Sequence, residues 1–280
     1  MLTSIYADNV DALPSPQRDR PEHCEVAIIG GGLTGVTAAL HLAENGYDVV
    51  LLEAETIGSG ASGRNGGHLC QGWSNDFHHI SNQLNSHDAD LAWQAGMAAV
   101  DMVKSRIKKH SIKCDLQFGY LLAALHQRHL TELLKMQDEW SQRGYYELTA
   151  LTNRASLGTH INSQSYCGGL YDNGSGQIQP LKYLMGLALA NLSAGTHILE
   201  HSRVLKMDRG VNKTLHFQNA PPLTARRVVL CGNAYLTNVG LRDMSRRLAK
   251  VTSSVLATTP LSDNMIQHIL PSRATVADCN

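Results

Sequence analysis

A branched apolar run that breaks into glycines and restarts as an alanine-rich helix constrains this chain more than any other feature. Residues 24–29, Cys-Glu-Val-Ala-Ile-Ile, suit a buried parallel strand. They lead into Gly30-Gly31-Gly32-Leu33-Thr34-Gly35, a G-x-G-x-x-G turn that opens a helix ending near Gly46. In such a turn Gly30 permits the sharp bend, and Gly32 leaves no side chain between the backbone and a pyrophosphate. Gly35 lets helix and strand pack closely. The helix N-terminus adds free N–H groups and a positive partial charge for the anion. A second apolar run, 48–53, ends in Glu53, about 20 residues on, where a carboxylate accepts hydrogen bonds from an adenosine ribose. Strand, glycine turn, helix, strand and acid in this order predict a dinucleotide-binding βαβ unit.

A carboxylate at position 53 repels a ribose 2′-phosphate, which disfavours NADP and leaves NAD or FAD. Residues 58–67, GSGASGRNGG, hold five glycines. With so little side-chain bulk this segment can lie against a large flat ligand and present backbone N–H groups to it. Arg64 and Asn65 within it, directly after the ribose acid, argue against a mere linker.

GGGLTG at 30–35, LLEA at 51–54 and GSGASGRNGG at 58–67 together resemble the FAD-dependent oxidoreductases of the D-amino-acid oxidase type, and within them the branch that oxidises gamma-glutamylputrescine. Residues 177–183, QIQPLKY, are similar to the family's entry into a helix leading to an adenine-contacting strand, here near Val204. Residues 226–235, RRVVLCGNAY, resemble the strand and turn that closes over the cofactor. The resemblance covers 22–280, and its motifs are more specific for the family than for the substrate. It implies FAD as cofactor, bound by Gly30, Gly32, Leu33, Thr34, Gly35, Glu53, Ala54, Ser62, Arg64, Asn65, Gly66, Gly67, Val204, Cys231, Gly232 and Asn233.

The implied fold class is α/β, a Rossmann-like FAD-binding domain with an inserted α+β substrate domain. The expected boundaries are an extended arm at 1–21, the FAD-binding domain at 22–111 and 176–245, and the substrate domain at 112–175 and 246–280. Similar proteins continue past the position of Asn280 with further insertion strands and a second glycine-rich turn. The chain is therefore expected to be a truncated member, with an incomplete substrate wall.

The resemblance also implies the chemistry, oxidation of a C–N bond in a small amine or amino acid. The lone pair of a neutral amine assists hydride departure from the adjacent carbon to the flavin, the imine hydrolyses, and oxygen as acceptor yields peroxide. Because the cofactor supplies that reactivity, a conventional acid–base pair need not be visible. His68 follows Gly66 and Gly67, where the family often carries Gln and where its loop meets the flavin ring. A neutral imidazole there can bond substrate or a flavin edge; equally, it is a polar spacer. Two other readings stand beside the leading one. A non-catalytic dinucleotide-binding fragment is the first. The second is an NAD-dependent dehydrogenase, which the loop at 64–67 argues against.

Composition narrows the partners. Lys plus Arg and Asp plus Glu both number 24, so no basic field draws nucleic acid or an acidic membrane. No apolar run is long enough to span a bilayer, and the N-terminus lacks the basic start and apolar core of a secretory signal. The six cysteines form no C-x-x-C pair, and a cytoplasmic location is expected. The 14 histidines show no metal-ligand spacing, so no metal is expected. The oligomeric state is left open.

Further along, Ser86 is expected to cap a helix over 88–110, with Leu91, Ala95, Ala99, Met102 and Val103 on its inward stripe. Residues 116–125 read as a strand. Residues 127–143 read as a helix with Leu130, Leu133, Leu134 and Trp140 inward, stopped by Gly144. Pro180 suits the first turn of another helix that stops at Gly195. Strands are expected near 197–206, 213–218, 226–231 and 250–259. Trp73, Trp93 and Trp140 read as core.

Overall fold

In the computed structural model, which describes residues 4–14, 20–74, 77–238 and 247–279, the elements follow in this order. After a 3₁₀ turn at Ile5–Asn9 come β1 (His23–Ile29), α1 (Leu33–Glu44), β2 (Val49–Leu52) and a 3₁₀ turn at Ala61–Gly63. Next are β3 (His68–Leu69), α2 (Phe77–Ser81), α3 (Ser86–Lys109), β4 (Gln117–Ala124) and α4 (Gln127–Gln142). β5 (Leu148–Leu151), α5 (Arg154–Gly158), β6 (Gly168–Gln177), α6 (Pro180–Ser193) and β7 (His197–Leu199) follow. The chain closes with β8 (Lys206–Asp208), β9 (Lys213–His216), β10 (Leu223–Leu230), a 3₁₀ turn at Asn233–Asn238, α7 (Asp263–Ile269) and β11 (Thr275–Asp278).

The chain divides into two units. The first draws on Met1–Gly66, Arg106–Cys114 and Gln179–Leu256, the second on Gly67–Ser105, Asp115–Ile178 and Ala257–Asn280. These boundaries differ from the expected ones. Residues 67–105 fall in the second unit because β3 pairs with β6 and Trp93 joins that unit's core. Residues 112–114 fall in the first, where Ile112 sits over Gly186 and Cys114 O accepts the Gln179 N–H at 2.8 Å. The crossing expected at 245–246 lies outside the described residues; the division between the units falls at Leu256–Ala257. Within the arm expected to be extended over 1–21, residues 5–9 form a 3₁₀ turn, started by the Ser4 side chain accepting the Tyr6 N–H, and residues 1–3 and 15–19 lie outside the described residues.

In the first unit one sheet runs β7-β2-β1-β10-β9-β8. β7, β2, β1 and β10 are parallel, and β9 and β8 continue antiparallel. Val26, Ala27 and Ile28 and the whole of β2 are buried, as strands covered on both faces must be. α1 packs against α6, and fully buried Asn191 ties them by donating to Val36 O at 2.9 Å and Leu187 O at 3.0 Å. Its own carbonyl accepts the Thr196 hydroxyl, so the buried amide is satisfied. Pro180 stands in the first turn of α6, which the Gln179 side chain caps by accepting the Lys182 N–H at 2.6 Å.

The expected strand 197–206 is two short strands, β7 and β8. Residues 200–204 leave the ladder, with His201 N–H bonded to Glu55 O and Ser202 N–H to Glu53 O. Val204 therefore lies in a connector and not in a strand.

In the second unit the sheet runs β11-β4-β6-β3, with β5 also on β6. Its pairs are antiparallel except β11 with β4. Phe77, Trp93 and Trp140 meet edge to face, with centroids 5.1 and 5.3 Å apart, over Leu130, Leu133 and Leu170. This aromatic contact sets the rotation of α3. Its buried positions are Ala89, Trp93, Gly96, Val100 and Arg106, whereas Leu91 and Met102 of the expected stripe are half exposed and Ala95 and Ala99 face solvent. The cap also shifts by one, since Asn85 and not Ser86 accepts the Asp88 N–H. Trp73 is exposed, its ring N–H given to Ala92 O, so it is not core. Residues 250–259 form no strand, and Val251 and Leu256 are almost fully exposed. The edge beside β4 is occupied by Thr275–Asp278 instead, and β propensity without a ladder partner makes no strand.

Candidate cofactor site

β1 sits between β2 and β10, and the chain leaves it through α1 toward β2, so the carboxyl ends of β1 and β10 flank a crevice. A cavity of about 190 Å³ opens there, all of it within the first unit. Ile29 and Leu52, the last residues of β1 and β2, form its floor with Cys231 just after β10.

The turn from β1 to α1 is built on backbone economy. Gly30 has φ +118°, and a Cβ there would meet Cys231 O at 2.6 Å. A methyl at Gly35 would run into Gly30 O, so β1 and α1 approach as closely as glycine allows. The Gly31 N–H donates to Glu53 Oε2 at 2.6 Å, and Gly31 O accepts the Gly58 N–H at 3.1 Å. The Leu33 N–H, in the first turn of α1, donates to Ser62 Oγ at 3.0 Å. Glu53 Oε1 takes the Glu55 N–H at 2.9 Å. One carboxylate thus gathers the β1–α1 turn and the β2 exit.

Of the residues expected from sequence, Gly30, Gly32, Glu53, Ala54, Ser62, Val204, Cys231, Gly232 and Asn233 line this cavity. Leu33, Thr34 and Gly35 stand beside it in the first turn of α1, Thr34 exposed and Gly35 buried. Arg64 and Asn65 turn back on their own loop. Arg64 Nε donates to Ser59 O at 2.8 Å, and Asn65 Nδ2 donates to Ser62 O at 2.9 Å. Gly66 is the last residue of the first unit's opening segment, while Gly67 and His68 belong to the second, where His68 meets Tyr120 edge-on at 5.7 Å.

The cavity also takes in residues the sequence reading did not single out, among them Gly31, Glu55, Arg203, Tyr235 and Leu236. Arg203 and Glu55 form an ion pair of 2.6 Å at its rim. Proximity to Val204 was the available signal for Arg203, and Tyr235 is the last residue of the 226–235 motif, whereas nothing local marks Leu236.

The donors and acceptors suit a dinucleotide. A helix N-terminus and a hydroxyl are groups that would suit an anion, a carboxylate is one that would suit ribose hydroxyls, and Val204 and Leu236 add apolar lining. Burial pushes the Cys231 thiol up, which keeps it protonated and a poor nucleophile.

A polar cluster lies in the second unit. Asp172, 5% exposed, accepts the Tyr145 hydroxyl at 2.6 Å, the Gly174 N–H at 2.9 Å and the Ser175 hydroxyl. Ser175 Oγ in turn accepts the Gln71 N–H at 2.9 Å. Burial and then the Asp172 carboxylate drive the Tyr145 phenol far above its ordinary value. Among the described residues no three His, Cys, Asp or Glu side chains are placed to hold a metal ion, and no helix is long and apolar enough to cross a membrane.

Fold and cavity define a Rossmann-type dinucleotide-binding protein, and comparison with known proteins gives its family. The model of the FAD dependent oxidoreductases, the D-amino-acid oxidase family, matches residues 25–279, and this chain belongs to that family, whose cofactor is FAD. It is 33% identical to a probable oxidoreductase, OrdL, of Haemophilus influenzae, over 95% of this chain and 62% of the relative. It is also 33% identical to the gamma-glutamylputrescine oxidoreductase of Escherichia coli, over 92% of this chain and 60% of the relative. The chain therefore spans about 60% of the length of these curated relatives. Among solved structures, L-proline dehydrogenase from P. horikoshii superposes with a TM-score of 0.69 at 18% identity, covering 92% of this chain and 65% of that one. Glycine oxidase from Geobacillus kaustophilus superposes with a TM-score of 0.63 at 23% identity, covering 80% and 59%. These two likenesses establish the shared fold.

Proposed function

We propose that the protein oxidises a C–N bond of a small amine or amino acid, with oxygen as the electron acceptor, and that the first unit's cavity holds the ADP half of FAD. The observation that carries this reading is the convergence of the glycine turn, Ser62, Glu53 and Val204 on one cavity at the strand ends. The 33% identity to a gamma-glutamylputrescine oxidoreductase supports an amine as substrate class.

Bound FAD supplies a two-electron acceptor for hydride from the carbon beside the amine nitrogen. The protein's share is binding and orientation. The first turn of α1 directs N–H groups and a positive partial charge at the pyrophosphate. Glu53 keeps acceptor capacity for ribose hydroxyls, since each carboxylate oxygen has two lone pairs and accepts one N–H, from Gly31 or from Glu55. Val204 and Leu236 exclude water from the base, and Arg203 with Glu55 closes the rim.

Purified chain titrated with FAD and, separately, with NAD tests the cofactor site. Saturable quenching of flavin fluorescence with no NAD binding is expected, and preference for NAD would overturn the assignment. An amine-dependent peroxide assay with gamma-glutamylputrescine and glycine tests the chemistry; because the chain spans about 60% of its relatives' length, little peroxide is expected from it alone, and peroxide from either amine would establish the substrate class.

A further inference from the structure

We propose that the N-terminal turn Ile5–Asn9 is a strap that keeps the glycine loop 58–65 in the shape that lines the cavity, with Ser4 and Tyr6 as positioning residues. This rests on the reading of the cavity as the FAD site.

The loop needs such a device. Its glycines give up more backbone freedom on ordering than any other residue. Yet Ser59, Gly60, Ala61 and Ser62 all line the cavity, and Ser62 Oγ receives a helix N-terminal N–H. Arg64 and Asn65 already bind the loop from within. Two of its carbonyls are taken from outside. Ser4 Oγ donates to Gly63 O at 3.0 Å, and the Tyr6 hydroxyl donates to Asn65 O at 3.0 Å. The turn is anchored in its own right, since Gln179 Nε2 donates to Tyr6 O at 3.3 Å while Gln179 caps α6. On the other side, Leu181 of α6 abuts Gly58 and Gly63. The loop is therefore gripped between α6 and the turn.

Burial does not explain why the turn sits there. None of its residues is buried, and Ile5 is 56% exposed, so polar contacts to the loop and to Gln179 hold it. It also lies outside residues 25–279, the part that matches the family model. A strap of this kind raises affinity by enlarging the fraction of molecules whose loop is ready to bind.

The test uses the full chain and a Ser4→Ala/Tyr6→Phe double variant, with Ser4→Thr as the conservative control. Hydrogen–deuterium exchange is first followed in the FAD-free protein. The N–H groups of Gly58, Ser59, Gly63 and Arg64 are bonded within or near the loop, and they are expected to exchange several-fold faster in the double variant. The dissociation constant for FAD, from flavin fluorescence, should rise about tenfold, as two lost hydrogen bonds imply. Ser4→Thr should match the unaltered chain in both. Unchanged exchange over 58–65 in the double variant would overturn the strap, whatever happens to FAD. Failure of the unaltered chain to bind FAD would overturn the cofactor reading instead, and the exchange arm would still decide the strap. Should the double variant not fold, Tyr6→Phe alone, which removes one oxygen atom, is read in the same way.

Discussion

The Glu53 carboxylate reaches back across the strand ends to the Gly31 N–H, 2.6 Å away. The acid just past β2 therefore helps to shape the β1–α1 turn, beside the ribose role proposed for it. A second oxygen on the Glu55 N–H holds the carboxylate in place. Orientation fixed in advance lowers the ordering cost of binding.

Glu53→Ala removes charge-assisted hydrogen bonds of about 1.5–3 kcal/mol. FAD affinity should fall tenfold or more, as an order-of-magnitude conversion. Glu53→Gln, which keeps one acceptor oxygen, should fall less. Flavin fluorescence titration measures both, and equal affinity for all three proteins would refute the ribose role.

Gly35→Ala places a methyl against Gly30 O, where rigid backbone cannot yield. The expected loss of stability is about 1–3 kcal/mol, the range for overpacked sites. Gly144→Ala offers a contrast, because its surroundings are open and its φ of +88° is the one source of strain. That variant should lose about 1–2 kcal/mol. Denaturant midpoints of the two variants give the comparison.

Asp172→Ala strips the acceptor from Tyr145, Ser175 and the Gly174 N–H together. Each buried donor left unsatisfied costs about 1–3 kcal/mol. The second unit should unfold at clearly lower urea, whereas Tyr145→Phe, which removes donor and phenol oxygen alone, should cost less. A midpoint order with Tyr145→Phe the weaker protein would be inconsistent with this hub.

Acid stability should depend on Glu44. Burial by itself would raise its pKa. The hydrogen bond from Lys109 at 2.7 Å and the charges of Arg106, Lys109 and His110 outweigh that and hold it below the ordinary carboxylate value. A carboxylate whose pKa is lower folded than unfolded contributes stability fully above its unfolded pKa, and loses it as pH falls through the folded one. Urea midpoints should drop between about pH 5 and pH 3, and Glu44→Gln should flatten that slope. An unchanged slope in Glu44→Gln would assign the acid sensitivity elsewhere.

Some of this was legible in the sequence. The order of Cys24–Ile29, the glycine turn and Glu53 placed the βαβ unit, and most of the expected contacts around Gly30, Gly32, Glu53, Ser62 and Cys231–Asn233 surround the observed cavity. The amphipathic helix over 127–142 was equally readable from Leu130, Leu133 and Trp140. Arg64 and Asn65 were read as cofactor contacts, and the direction of their side chains was not legible. A polar side chain beside glycines bonds whichever carbonyl the loop's fold brings near, and here those are Ser59 O and Ser62 O.

By itself the sequence determined what short-range physics controls: where glycine is required, where apolar runs alternate with turns, and that Glu53 follows the second strand. Tertiary structure alone decided which distant partners meet. Trp93 turned α3 away from its Leu91 stripe, Thr275–Asp278 took the place beside β4 that residues 250–259 had the composition to fill, and Ser4 and Tyr6 found Gly63 and Asn65. Periodicity and propensity report that a surface is apolar or a segment extended, but the free energy of each long-range contact exists only once the fold has brought both partners together.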